Sequence, residues 1–176
     1  MLRRTCEILC VLTALGGFQS ACAQVASHSQ DYVIHVPPFM SLDALRGEQF
    51  MNHPQTSGDL TFTNSIWWAR TSSATGSTVL FSTDHAFQNE SDPTYRRDVR
   101  LRSPRMFVTP GAGWKYDRFV DQTDYAAGDE VASVQVSSSR SGSALIYLEV
   151  TFLTGDLATL KGGDYVVTVV GTISEN

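Results

Sequence analysis

The stretch ALIYLEVTFL, residues 144–153, decides the fold class of this chain. Ile146, Leu148, Val150 and Phe152 occupy every second position in it. A period of two is typical of a strand that buries one face. β-branched and aromatic side chains suit such a half-buried, pleated surface. The stretch is therefore predicted to be a core strand.

The same alternation recurs on both sides of this stretch. In residues 131–137 it places Val134 and Val136 on one face, and in residues 165–173 it places Val167 and Val169 on one face. The polar stretch 71–77 is predicted to be a turn that joins two of the earlier strands in a hairpin. The predicted strands occupy residues 60–68, 78–83, 95–102, 114–120, 131–137 and 165–173.

Short strands separated by turn signals predict the overall architecture. Asp92-Pro93 and the segment 110–113, Pro-Gly-Ala-Gly, are two of these signals. Strand after strand without alternating helices indicates an antiparallel sheet protein and not a βαβ fold. We expect an all-β, immunoglobulin-like antiparallel β-sandwich of about seven to nine strands.

One segment outside these strands has the features of a short helix. Ser41 is a candidate N-cap and Gly47 a candidate stop for the turn between them. The pattern predicts at most a marginal helical turn at residues 41–47, and residues 39–58 are otherwise unassigned.

The first residues have the pattern of a secretory signal peptide. Arg3 and Arg4 precede an apolar run at residues 8–18, which is too short to span a bilayer. Small residues follow, so we place cleavage after Ala23. This predicts a signal peptide at residues 1–23 and a single β-sandwich domain at 24–176. A short membrane anchor and lipidation at Cys22 remain as alternatives.

Composition limits the chemistry of the mature chain. All three cysteines lie in residues 1–23, so the mature chain has no disulfide and no thiolate metal site. The full chain has a formal net charge of −5, which becomes −6 when Arg3, Arg4 and Glu7 are removed. Nucleic acid is an unfavourable partner for such a chain. No cofactor is expected, and after cleavage no segment is expected to span the membrane.

Tryptophan supplies the first candidate contact residues. Exposed tryptophans stack on sugars and anchor interfaces. Trp67 and Trp68 are adjacent in a predicted strand, so one must face the core and the other the outer surface. Trp114 is the third candidate. Plain packing in the core is the alternative role for all three.

A cluster of arginines is the only basic concentration in the sequence. It suits an anionic glycan or an acidic neighbouring subunit, and a solvated strand face is the alternative. Arg97 is the residue of this cluster that is predicted to contact a ligand or partner. The cluster consists of Arg96, Arg97, Arg100, Arg102 and Arg105.

No residue pattern supports catalysis. Asp84-His85 has no Gly-x-Ser-x-Gly elbow to complete a triad, and neighbours in a strand point to opposite faces. The segment 121–124, Asp-Gln-Thr-Asp, lacks the spacing of a calcium loop and is predicted to be a solvated acidic loop, with calcium binding through its carboxylates and carbonyls as the alternative. We therefore expect no catalytic and no metal-binding residues.

The C-terminal stretch 162–173, GGDYVVTVVGTI, resembles the closing strand of secreted bacterial sandwich subunits of the spore-coat-U and fimbrial type. The turn at residues 124–129, DYAAGD, is similar to that of small exported bacterial β-sandwich proteins of unknown function. The chain departs from the first group because many of its members carry a disulfide that this mature chain cannot form.

The fimbrial resemblance implies assembly by strand donation, in which an N-terminal strand enters the next subunit. Tyr32, Ile34 and Val36 alternate with polar or smaller residues and would form the donor strand. Pairing of the same strand inside its own sandwich is the alternative.

These observations predict a secreted, periplasmic or cell-surface protein. The expected function is that of a non-enzymatic structural or adhesion-type module, whose partners are itself, other cell-surface proteins or a glycan. A carbohydrate-binding module that uses its exposed tryptophans is the alternative.

Overall fold

The computed structural model describes residues 28–35 and 38–176. The predicted signal peptide and its cleavage site lie outside the described residues, as does Val36. Residues 28–35 contain no strand or helix, and Tyr32, Val33 and Ile34 are exposed. The strand predicted at residues 32–36 is therefore not formed over its described part. Alternation made these residues compatible with a strand but supplied no pairing partner.

Residues 38–176 form a separate unit of thirteen strands, eight of which have four or more residues. The strands are β1 Met40–Ala44, β2 Leu60–Thr61, β3 Ser65–Thr71, β4 Ser77–Thr83, β5 Phe87–Asn89, β6 Arg96–Arg97, β7 Val99–Val108, β8 Lys115–Arg118, β9 Val120–Gln122, β10 Ser133–Ser137, β11 Gly142–Phe152, β12 Tyr165–Val166 and β13 Val169–Glu175.

The strands form two principal sheets and one small one, and all pairings are antiparallel. The larger sheet has the order β1-β3-β11-β7-β9, and β2 pairs with β11 at one end. The second sheet has the order β13-β4-β10-β8, and the small sheet has the order β12-β5-β6. This arrangement confirms the predicted all-β sandwich.

The core lies where the inward faces of the two principal sheets meet. Leu101 and Ile146 from the larger sheet and Phe81 and Val134 from the second sheet have no exposed surface. They belong to one buried cluster. Burial of each such side chain contributes about 1.5–3 kcal/mol relative to exposure. The period of two in β11 therefore determines which face of the sheet is covered.

The helical turn predicted at residues 41–47 is wrong, because β1 occupies its first half. Leu42 packs against the core, while Ser41 and Asp43 face the opposite side and contact Arg70. The segment therefore alternates as a strand does. A single helical turn has too few internal hydrogen bonds to compete with pairing to β3.

The predicted hairpin across residues 71–77 is also wrong. β3 pairs with β1 and β11, whereas β4 pairs with β10 and β13, so the connection crosses between sheets. Gly76 makes this crossing with φ 85°, and a Cβ there would lie 2.1 Å from the Ser138 carbonyl oxygen. Only glycine fits such an approach.

Candidate functional site

The adjacent tryptophans of β3 lie on opposite faces of the larger sheet. Trp67 packs against the core, where its ring meets Phe81 edge-on at 5.2 Å between centroids. Trp68 is 37% exposed. The prediction that one tryptophan faces the core and the other the outer surface is therefore confirmed. β3 thus presents a large aromatic ring on the outside of the sandwich.

Trp68 belongs to an apolar row that crosses three strands. Leu145 of β11 is directly opposite Trp68 of β3 on one side and Phe107 of β7 on the other. Leu145 is half-buried, while Phe107 is 56% exposed. Side chains directly opposite each other across strands interact, so the three residues form a continuous apolar row on the outer surface.

A second row lies beside the first, toward the middle of β11. Tyr147 is opposite Ile66 on β3 and Arg105 on β7. The Arg105 guanidinium lies 4.2 Å from the Tyr147 ring centroid and 5.8 Å from that of Phe107. Phe107 and Tyr147 meet edge-on at 5.7 Å. Arg105 is thus held on this face by two aromatic rings.

A third row lies on the other side of Trp68. Arg70 is opposite Ser143 of β11 and Ser41 of β1. Its guanidinium carbon lies 4.3 Å from the Trp68 ring centroid, and its Nη2 donates to Asp43 Oδ2 at 3.0 Å. The central row therefore has an arginine on each side.

The central row borders an open, shallow depression of about 340 Å³ on the outer surface. We call the surface formed by Trp68, Leu145, Phe107, Tyr147, Arg70 and Arg105 the aromatic face. The depression is lined by Trp68, Phe107, Val108, Thr109, Ser143 and Leu145.

Two residues predicted as contacts are not at the surface. Trp114 is 8% exposed and belongs to the core cluster. Arg97 is 7% exposed, and its guanidinium donates to the Arg96 carbonyl at 2.8 Å and to Thr159 Oγ1 at 2.9 Å. Both predictions are corrected: neither side chain is accessible to a ligand. Arg97 instead ties β6 to the turn at Leu157–Thr159.

Most other arginines of the predicted cluster face carboxylates. Arg96 pairs with Glu130, Arg100 lies 3.8 Å from Asp59, and Arg102 lies 3.7 Å from Glu149. Those charges are locally balanced. Arg105 differs from them, because it has no ion pair within the described part of the chain.

The Asp84-His85 pair holds a bend in the chain. The residues follow β4 and do not lie in a strand, so their side chains meet with Asp84 Oδ2 3.4 Å from His85 Nε2. Asp84 Oδ1 accepts from the backbone N–H of Thr168 at 2.9 Å, and His85 Nδ1 lies 2.6 Å from the Ala86 carbonyl oxygen. These contacts join the bend to the approach of β13.

The acidic segment 121–124 is engaged by the chain itself. Asp121 Oδ2 accepts from Arg118 Nη1 at 3.0 Å and from the backbone N–H of Ser133 at 2.9 Å. Asp124 caps the short 3₁₀ turn Tyr125–Ala127. Within the described ranges, no group of three or more potential ligand side chains is arranged around a metal position.

One ion pair in the described structure has a perturbed pKa. Lys161 donates to Asp92 at 2.8 Å, and Thr94 adds a second donor to the same carboxylate. The Lys161 hydrogen bond is the main cause that lowers the pKa of Asp92 to about 2, and the pair raises the pKa of Lys161. The pair links the segment before β6 to the one before β12.

Several residues of the aromatic face were missed in the sequence. Leu145 and Tyr147 lie in the stretch 144–153, between the positions that were predicted to be buried. A strand that is apolar at alternate and intervening positions has two apolar faces. The sequence of residues 144–153 contains this pattern at Leu145 and Tyr147. Phe107 lies between the predicted strand 95–102 and the predicted turn 110–113, so no strand was predicted at its position.

Comparison with protein-family models, with curated proteins and with solved structures found no match to this chain. In the described residues, neither short helical turn has the length or the apolar character needed to cross a membrane.

Proposed function

We propose that this chain is an exported, non-enzymatic adhesion-type module that binds a cell-surface component through its aromatic face. The observation that carries the proposal is the exposed row Trp68, Leu145 and Phe107, which is aligned by strand register. Contiguous exposed apolar residues that are rimmed by polar ones are a common mark of an interaction site. Tryptophan and tyrosine are also enriched among residues that dominate binding energy.

The rigidity of the face supports a binding role. Its residues lie on three adjacent strands of one sheet, so their spacing is fixed before a ligand arrives. Arg70 and Arg105 are each held against an aromatic ring. Preorganised side chains lose less conformational entropy on binding. The face therefore suits recognition of a ligand by preformed contacts.

The test is sedimentation of the mature protein with insoluble cell-surface material from the organism that encodes it. Trp68→Ala should reduce the bound fraction severalfold. Leu80→Ala is the matched control, since Leu80 is 39% exposed on the second sheet. Leu80→Ala should bind as the unaltered protein does. Equal binding by all three proteins would refute a role for the aromatic face.

Strand donation is a second candidate function. It is favoured by Tyr32, Val33 and Ile34, which are 84%, 90% and 87% exposed and lie outside any strand. Large apolar side chains that alternate in an unpaired segment suit addition to the edge of another sheet. In this mechanism the donor segment would include Tyr32, Ile34 and Val36.

Light scattering over a concentration series tests strand donation. The mature protein should form higher oligomers, and deletion of residues 24–36 should yield a folded monomer. Trp68→Ala should leave the oligomers unchanged, which separates this mechanism from binding by the aromatic face. A monomeric mature protein at all concentrations would rule the mechanism out.

A further inference from the structure

We infer that the aromatic face binds an acidic polysaccharide, with the sugar rings on Trp68 and Phe107 and a carboxylate on Arg105. The inference rests on the proposed binding function and assigns its ligand class. It depends on three features of the face: flat apolar rings, an arginine that has no acidic partner among the described residues, and the position of the two arginines relative to the central row.

The central row matches the apolar face of a sugar chain. Trp68 and Phe107 are separated by two strand spacings, which is about 10 Å. Leu145 lies between them and is half-buried. Pyranose rings present C–H groups on their faces, and these pack on aromatic rings. A short run of sugars can therefore lie across β3, β11 and β7.

Arg105 supplies the recognition of charge. A contact with the Tyr147 ring holds the guanidinium, and none of its five N–H groups donates a hydrogen bond to another described residue. Arg105 forms no ion pair within the described residues, in contrast to Arg100 and Arg102 on the same strand. A carboxylate can accept two of these N–H groups in parallel, which is the favoured geometry for arginine.

Because the chain as a whole is negatively charged, an acidic polymer has to be recognised locally, by the arginines of the aromatic face. The protein is acidic, with a formal charge of −5, so a polyanion is not attracted by the molecule as a whole. An acidic polymer must gain its affinity from a site that combines charge with stacking. Arg70 adds a second cation beyond Trp68, although Asp43 partly balances it. The arginines therefore favour an acidic sugar over a neutral one.

Affinity electrophoresis of the mature protein tests this inference. The gels contain polygalacturonate, alginate or hyaluronan, and parallel gels contain the carboxyl-reduced form of each polymer. At least one acidic polymer should retard the protein, and its reduced form should bind about tenfold more weakly. Added salt should weaken the binding to the acidic form, since the contact with Arg105 is exposed.

Two matched variants identify the residue responsible. Arg105→Gln should lower the affinity for the acidic polymer about tenfold. Arg102→Gln is the control, because Arg102 is on the same strand but faces Glu149, and it should bind as the unaltered protein does. Circular dichroism of each variant confirms that it is folded. Trp68→Ala should weaken binding to the acidic and the reduced forms together.

The outcomes separate this inference from the proposed function. Equal binding of acidic and reduced polymers, lost in Trp68→Ala but not in Arg105→Gln, would overturn the charge assignment and leave the aromatic face as a glycan site. No binding to any of the six polymers would overturn the acidic ligand class. In that case, Trp68-dependent sedimentation with cell-surface material would still support the proposed function through another ligand.

Discussion

Gly171 of β13 lies against Leu42 of β1, at the edge where the two principal sheets approach each other. A Cβ at Gly171 would fall 2.8 Å from Leu42 Cδ2 and 2.9 Å from Trp67 Cζ3. Contacts shorter than 3.0 Å require a neighbouring group to move. The missing side chain at Gly171 thus allows Leu42 and Trp67 to pack closely into the core.

Gly171→Ala should therefore destabilise the fold by about 1–3 kcal/mol, the usual cost of overpacking. Chemical denaturation measures the change. Gly162→Ala is the control, since nothing lies within 4 Å of a Cβ at Gly162, and it should be close to neutral. Equal stability of both variants would mean that β1 and β13 do not pack as described.

The two adjacent tryptophans should differ sharply in their contribution to stability. Trp67→Ala removes a ring that packs on Phe81 and should cost about 3 kcal/mol or more. Trp68→Ala removes a ring on the outer surface and should cost about 1 kcal/mol or less. Thermal and urea unfolding of both variants check the difference. A larger loss for Trp68→Ala would reverse the assigned faces of β3.

Arg97 should contribute to stability and not to binding. Arg97→Met keeps much of the buried stem but leaves the Arg96 carbonyl and Thr159 Oγ1 without their donor. We expect a loss of about 2 kcal/mol in the free energy of unfolding. Arg102→Met, at a side chain that is 52% exposed, should change it by about 0.5 kcal/mol or less. Similar losses in both would contradict the structural role of Arg97.

The Asp92–Lys161 pair should make stability depend on pH in the acid range. The pKa of Asp92 is about 2 in the folded chain, against an ordinary value of 3.8, so the folded state binds the proton less readily. The contribution of the pair to the stability of the fold is then complete above about pH 5 and is lost as the pH falls from 4 to 2. Asp92→Asn should lower Tm at pH 7 and have little effect near pH 2.

The control for this prediction is Lys161→Met, which removes the donor but leaves Asp92 in place. It should lose the larger part of this pH-dependent stability, because Lys161 is the main cause of the lowered pKa of Asp92, while the hydrogen bonds from Thr94 remain. A Tm difference between Asp92→Asn and the unaltered protein that stays constant from pH 7 to pH 2 would show that the pair does not stabilise the fold.

Much of the fold was predictable from local patterns. The alternation in residues 144–153 places Ile146 and Leu148 in the core, where both are buried. Strand pairing was less accessible, because alternation determines the faces of a strand but not its neighbours. The wrongly predicted hairpin arose in this way. The crossing at residues 71–77 brings Gly76 close to Ser138, which lies 62 residues further along the chain. The local sequence does not reveal such a contact.

The candidate site was only half accessible to sequence reasoning. The exposure of one tryptophan of the Trp67-Trp68 pair was predictable, because adjacent residues in a strand point to opposite faces, but which of the two is exposed was not. Arg97 was misassigned since its charge suggested exposure, whereas its position places it beside the buried Val99 and Leu101. Leu145 and Phe107 meet only through the pairing of β11 with β7. Their row is a product of register, which a single sequence does not specify.

Fluorine NMR of the mature protein labelled with 5-fluorotryptophan tests the aromatic face most directly. Three resonances are expected, and Trp68→Phe assigns the one from the exposed ring. On addition of soluble cell-surface polysaccharide, the Trp68 resonance should shift or broaden while those of Trp67 and Trp114 stay in place. Unchanged resonances, or a selective change at the buried Trp114, would contradict binding at the aromatic face.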